Sequence, residues 1–579
     1  MVEAEHVRKL KLGDGIHETG ARHESFIETV QDAPAPHPRT ATMSRIVLPR
    51  RQFLKQSGLI AGSLSLGGLP AILRAGQAPA LITAEASRPA TSWGLQIGDV
   101  CGSRAVVWSR TDRPSRMRVE WALDDSFNHA REIRGPHALE ISDFTARVDL
   151  TALPPDRQVF LRVTFESLED ASAVSEVVTG RFRTPPAAGR DLRFVWGGDT
   201  AGQGWGIDLS QGGMRIYETM RARQPDFFLH SGDTVYADGP MQPQVDTGQW
   251  GTWTNAYLDL VPEKTKVAET LREYHRNYLY NLFDENVRRF NAEVPQIWQW
   301  DDHETANNWS PGKDLSGNAA YTEKSVFALV GNSTRAFLDY APMRWHDVSE
   351  SERIYRKIPY GEDLDVFVLD MRSYRAANGP NQQTAPGPDT VYLGETQIRW
   401  LKTQLRASRA TWKVIAADMP IGLVVADGTN ANGQTRYENS SNGDGPVLGR
   451  EFEIADILSF IKHAGIENTV WLTADVHYCA AHYYSPDKAQ YKDFSPFWEF
   501  VAGPLSSGTF GPNPLDDTFG PTVVFQRVPP AGQANLPPSA GYQFFGQVDI
   551  DSRAKTLTVS LVDIAGTTLY TQMLSPRHR

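Results

Sequence analysis

From residue 92 to 185 apolar and polar positions alternate in short runs: Arg104–Thr111, Met117–Ala122, Ala146–Leu150 and Val159–Phe165. Turn residues separate these runs, and no long helical period intervenes. That texture predicts a small antiparallel all-β sandwich. Pro185-Pro186-Ala187-Ala188-Gly189-Arg190 then reads as a linker. Beyond it, over 190–575, the period changes. Apolar strands are expected at Leu192–Trp196, Phe227–Leu229, Gln296–Trp300, Val366–Leu369, Trp412–Ala416 and Val470–Leu472. Helical spacing fits Met214–Arg221, Ala268–Asn281, Thr396–Ala407 and Glu451–Ala464. Strands interleaved with helices predict a layered α/β, sandwiched-sheet domain. Alternation returns over Tyr542–Met573, which should pair at a sheet edge. The Gly- and Pro-rich stretch Phe510–Pro538 reads as either a lid or a long surface loop.

The first part of the chain has another character. Arg50-Arg51 precedes Gln52-Phe53-Leu54-Lys55, then a modest apolar run over 59–73 and the small residues Ala75–Ala80. Charged, apolar and small regions in that order predict a twin-arginine signal peptide over 43–85, and so a periplasmic or secreted protein that meets the twin-arginine translocase. The run is too short and too glycine-rich to span a membrane, so no transmembrane anchor is expected after cleavage. Residues 1–42 resemble neither leader nor core, and translation is expected to start at Met43.

Composition narrows the function. A net charge of −11 leaves no basic excess for a nucleic-acid partner. It is compatible with phosphate-ester substrates if bound cations reverse the local field. The only two cysteines, Cys101 and Cys479, exclude a disulfide scaffold and a Cys-rich zinc site, and a bridge between them is not expected.

Four apolar strands run directly into polar chemistry. They lead into Gly197-Gly198-Asp199, into His230-Ser231-Gly232-Asp233-Thr234-Val235-Tyr236, into Asp301-Asp302-His303-Glu304, and into Asp475-Val476-His477. In open α/β sheets ligands gather at the carboxyl ends of strands. Several carboxylates in one place raise one another's pKa, a cost that multivalent cations remove. Carboxylate, imidazole and phenol together suit hard or borderline metals, and two or more cations can clamp a phosphate during in-line displacement.

These motifs resemble the alkaline phosphatase D (PhoD) family, metallophosphoesterases related to the purple acid phosphatases. The resemblance rests on HSGDTVYADG (His230–Gly239), WDDHE (Trp300–Glu304), LDMRSYR (Leu369–Arg375) and LTADVHY (Leu472–Tyr478), with Leu95–Arg110 similar to the family's amino-terminal domain. It implies ferric iron with calcium, and hydrolysis of phosphomonoesters by metal-activated hydroxide. Asp233 would bridge metals, Tyr236 would bind iron, Asp475 and His477 would face the metals, and Asp302 would bind a second cation where broader relatives use Asn. His303 would sit by the phosphate or leaving group. Arg372 and Arg375 would each contact phosphate or form a structural ion pair. Asp199 departs from the family cysteine; the harder carboxylate admits Mn, Zn or Ca more readily. Two other readings remain open: a phosphodiesterase or phospholipase D-like hydrolase, for which aromatic stretches such as Trp250–Trp253 and Phe494–Phe500 could line a greasy site, and a calcium-stabilised envelope binding protein.

Overall fold

Two large β-sheets pack face to face in this computed structural model, which describes residues 85–577 except Asp444. The expected upstream segment and leader, 1–42 and 43–85, lie outside the described residues except for Glu85. One sheet has nine strands, in spatial order Thr568–Leu574, Leu557–Asp563, Phe544–Ile550, Leu192–Gly197, Phe227–Ser231, Gln296–Gln299, Leu95–Cys101, Arg104–Arg110 and Thr145–Leu150. The other has seven: Arg356–Tyr360, Leu364–Val368, Trp412–Ala416, Thr469–Thr473, Phe497–Val501, Cys479–Tyr484 and Pro521–Arg527. Leu192–Gly197, Phe227–Ser231 and Gln296–Gln299 are parallel, as are Leu364–Val368, Trp412–Ala416, Thr469–Thr473 and Phe497–Val501.

Strand alternation explains the layering. Phe194 and Trp196 point into the core between the sheets with Leu229, Val366, Val414 and Leu472. Val195 and Phe228 point the other way, against a helical layer that includes Arg215–Ala222, Leu271–Asn281 and Val326–Tyr340. Glu395–Ala407 and Glu451–His463 cover the outer face of the seven-stranded sheet. Strands buried on both faces read as continuous apolar runs, as these do in the sequence. The architecture is thus a layered α/β fold preceded by an all-β sandwich. Among the described residues no helix is long and apolar enough to cross a membrane.

The sandwich is formed, but it shares a sheet with the α/β layers. Its four-stranded face, Arg131–Ala138, Ser115–Ala122, Gln158–Ser167 and Val178–Arg183, packs on Leu95–Cys101, Arg104–Arg110 and Thr145–Leu150 around Ile97, Val119, Leu161 and Phe165. Those three strands then continue the nine-stranded sheet, because Gly98 pairs with Gln296. A Cβ at Gly98 would lie 1.9 Å from the Pro342 carbonyl oxygen, so a side chain there would break the junction. The described residues cluster as one compact unit.

Two helices are not evident from the sequence pattern: Glu285–Glu293 and the fifteen-residue Val326–Tyr340. Phe510–Pro538 is neither a free lid nor only a loop. It supplies the edge strand Pro521–Arg527, paired with Cys479–Tyr484, and Asn535 then ties it to the site loop through Trp205 Nε1 and the Gln203 carbonyl. The two cysteines are free.

Candidate metal centre

The parallel strands bring all four acid and histidine motifs to one end of the sheets. Asp199 follows Leu192–Gly197, Asp233 follows Phe227–Ser231, Asp301 and Asp302 follow Gln296–Gln299, and Asp475 and His477 follow Thr469–Thr473. Asp199, Asp233, Asp475 and His477 all have positive φ, between 52° and 70°. Non-glycine residues held in the left-handed region cost roughly 1–3 kcal/mol each and persist where the surroundings enforce them, commonly at active sites. Here three of the four strands turn abruptly at their ends, at Asp199, at Asp233 and at Asp475 with His477.

Three donor groups result, each with ligand atoms within 4.8 Å of one another: Asp199, Asp233 and His477; Asp233, Asp302 and His303; Asp301, Asp302 and Asp475. Asp233 is common to the first and second, and Asp302 to the second and third. Shared carboxylates in a chain are what adjacent cations require. Tyr236 joins the first group, its hydroxyl 2.8 Å from His477 Nε2 and 3.5 Å from Asp199 Oδ1. His477 Nδ1 faces the Gly508 carbonyl, with Ser507 Oγ at 3.1 Å. A proton on Nδ1 therefore donates to that carbonyl and leaves Nε2 free as a ligand.

The electrostatics fit a cation. Burial and neighbouring carboxylates push Asp199, Asp233 and Asp475 well above the usual carboxylate range. Asp199, Asp301 and Asp302 each keep a buried carboxylate oxygen without a hydrogen-bond donor among the described residues. Orphaned, mutually repelling carboxylates are costly unless charge is supplied between them. Burial lowers His477 to about 4, which keeps it neutral and able to ligate.

His303 is tuned the opposite way. Burial opposes its charge, but Asp238 and Asp302 outweigh burial and raise it to about 10. Asp238 Oδ1 lies 2.7 Å from Nδ1, and the other Asp238 oxygen accepts the Asn307 N–H at 2.6 Å. The imidazole also packs against Tyr236, tilted by 30° with centroids 4.2 Å apart. His303 is thus held in one orientation by Asp238, with its Nε2 side directed away from that bond.

Of the two roles left open for Arg372, the structure shows the ion pair. Its guanidinium is fully buried, bonded to Asp301 and to Glu438 Oε1 at 2.6 Å, and 3.5 Å from Asp418. It is a buried counter-ion to these acids. Arg375 is buried as well and donates to Asn378 Oδ1.

Glu304 also proves structural in an informative way: one carboxylate accepts from the backbone N–H groups of Asp233, Thr234 and Asp301 and from the Thr234 hydroxyl. It clamps two ligand turns together. The roles of Asp238, Asp301, Asp418 and Glu438 emerge only in the fold. Asp418 nevertheless carries the same signal as the others, two residues beyond the apolar strand Trp412–Ala416.

The family model of PhoD-like phosphatase matches residues 194–561, and that of the PhoD-like phosphatase N-terminal domain matches 76–186. The chain belongs to the PhoD-like phosphatase family. Alkaline phosphatase D of Bacillus subtilis (strain 168) is 26% identical over 497 residues, covering 81% of this chain and 78% of that protein. A solved structure of PhoD superposes with a TM-score of 0.61 at 20% identity, over 86% of this chain and 94% of that one, and supports the fold. A purple acid phosphatase, PPD1 of yellow lupin seeds, reaches a TM-score of 0.49 at 11% identity, over 83% of this chain and 74% of that one, too low to argue from. Family membership makes the protein a phosphoesterase, a hydrolase, and agrees with a metal-binding reading of the acid cluster.

Proposed function

We propose that this protein is an exported, metal-dependent phosphomonoesterase that releases inorganic phosphate from phosphate esters. The observation that carries the reading is the chain of buried acids and His477 linked through the shared Asp233 and Asp302, with His303, held by Asp238, at its middle. The group of Asp199, Asp233, Tyr236 and His477 mixes carboxylate, phenol and imidazole, which suits ferric iron. With Asp199 in place of a thiolate it also accepts Mn or Zn. The all-carboxylate group of Asp301, Asp302 and Asp475 suits calcium. Bound there, the cations would supply Lewis-acid charge neutralisation and lower the pKa of water at the site.

The chain's own residues do the rest. Tyr236, Asp233 and His477 fix the first position, and Arg372 offsets the charge of the acids. His303, oriented by Asp238, offers a proton from Nε2 to the departing ester oxygen. The aromatic stretches that had suggested a greasy diester site are largely core: Phe494, Phe497 and Phe500 are buried in packed clusters, and Trp253 is buried as well. That leaves the monoester as the favoured substrate. The leader predicted over 43–85 supports export through the twin-arginine route, with phosphate-ester small molecules as the partners met outside.

The test is hydrolysis of matched aryl phosphomonoester and diester by purified protein, before and after chelation. Chelator-sensitive turnover favouring the monoester is expected. A clear diester preference would replace the reading with a phosphodiesterase. Absence of turnover after iron and calcium are restored would favour a binding protein.

A further inference from the structure

A cleft of about 340 Å³ opens at Asp238, the hydrogen-bond partner of His303. Its link to the metal centre is the turn after that histidine. Asn307 donates its backbone N–H to Asp238, the partner of His303, and Asn308 donates its own to Asp302. Asp238, Asn307, Lys313 and Asn318 are its polar lining, and the rest of its walls are apolar, with Val267, Leu315 and Tyr321 the largest. We infer that this cleft seats the leaving group of the substrate, and that the leaving group is an uncharged alcohol with a flat ring, of aryl or nucleoside size. The inference rests on the phosphatase reading and adds the substrate class to it.

Three features select that class. On the phosphatase reading the phosphate would lie at the cations with its ester oxygen toward His303, which places the carbon skeleton on the side of Asp238, where the cleft opens. The cleft is several times larger than a phosphate and falls at the small end of ligand pockets, about 300–1,000 Å³. A ring with roughly ten to twenty heavy atoms fills such a space. The third feature is charge. Lys313 is the cation among the lining residues, and it is engaged with the Asn307 carbonyl and, at 3.8 Å, with Asp427. Asp238 is engaged with His303. With no free cation to receive a second phosphate or a polyanionic chain, an apolar floor favours an uncharged ring.

Ala320 is an exposed residue on the cleft, so Ala320→Trp fills it without disturbing the core. For each ester, the kcat/KM of the metal-loaded variant is compared with that of the wild type. With 1-naphthyl phosphate we expect a fall of about tenfold, carried by KM, since the lost contact is one made equally in ground and transition states. With ethyl phosphate the ratio should stay within about twofold. Free 1-naphthol should bind the wild type, followed by its fluorescence, and lose that binding in the variant. An equal change for both esters, or none for either, overturns the inference. If the wild type hydrolyses neither ester, the phosphatase reading fails. The cleft is then judged on 1-naphthol alone: binding lost on substitution upholds it, and unchanged or absent binding overturns it.

Discussion

Replacing Asp238 with Asn keeps the shape of the residue but removes the charge that holds His303 protonated. With Asp238 and Asp302 outweighing burial, the imidazole is raised to about 10. The variant removes that charge, while its amide oxygen can still accept from Nδ1, so the loss expected is that of the imidazolium as proton donor, roughly 10²-fold, the lower end of the usual range for general acid catalysis. The assay compares two phosphomonoesters under saturating metal. An alkyl ester, whose alkoxide cannot leave unprotonated, should lose the full factor in kcat. A 4-nitrophenyl ester, whose phenolate leaves readily, should lose less than about fivefold. Metal content should be unchanged, because Asp238 lies outside the three donor groups. Equal losses for both esters would refute the reasoning, since they would mean that His303 does something other than protonate the leaving group.

Other outcomes depend on single residues. Arg372→Met leaves Asp301, Glu438 and Asp418 without their buried counter-ion and should cost about 3–5 kcal/mol in urea unfolding, with a larger loss after chelation; an unchanged midpoint would show that the acids do not depend on it. If ferric iron fills the first group, the protein should show visible phenolate-to-iron absorption that Tyr236→Phe abolishes, and a band surviving that change would remove Tyr236 from the ligands. Burial and the neighbouring Asp516 raise Glu451 to about 9, above its unfolded value. The folded state therefore binds the extra proton, so this contribution to stability is complete in acid and is lost as pH rises from about 4.5 through 9. Glu451→Gln should flatten that part of the stability curve, and an identical slope in the variant would contradict the shift.

The sheets are legible in the sequence because their strands are buried on both faces and so read as unbroken apolar runs. Helices with long apolar stripes, such as Glu395–Ala407, are legible too. Val326–Tyr340 is not, because Gly331, Asn332 and Ser333 interrupt its stripe; Ser325, which caps it through the Ala328 N–H, is the clue. The sharing of a sheet between the sandwich and the α/β layers depends on the close approach at Gly98, which no periodicity encodes. At the site, ligands that end strands are found by that position alone. Arg372 keeps two roles in the sequence because its part depends on which acids surround it, and those acids come from Asp301, Asp418 and Glu438, spread over more than a hundred residues of chain. Asp238 sits inside the HSGDTVYADG motif without a visible role, since its pairing with His303 is set by the fold of two turns.

The central claim is that phosphate-ester hydrolysis depends on cations held by Asp233, the carboxylate shared by the first two donor groups. Bound iron, calcium, manganese and zinc should therefore be measured by elemental analysis in the wild type and in Asp233→Ala, alongside phosphate release from an aryl phosphomonoester. The account predicts that metal and turnover are lost together in a variant that still folds. A folded Asp233→Ala protein that keeps both its metal and its activity would contradict it.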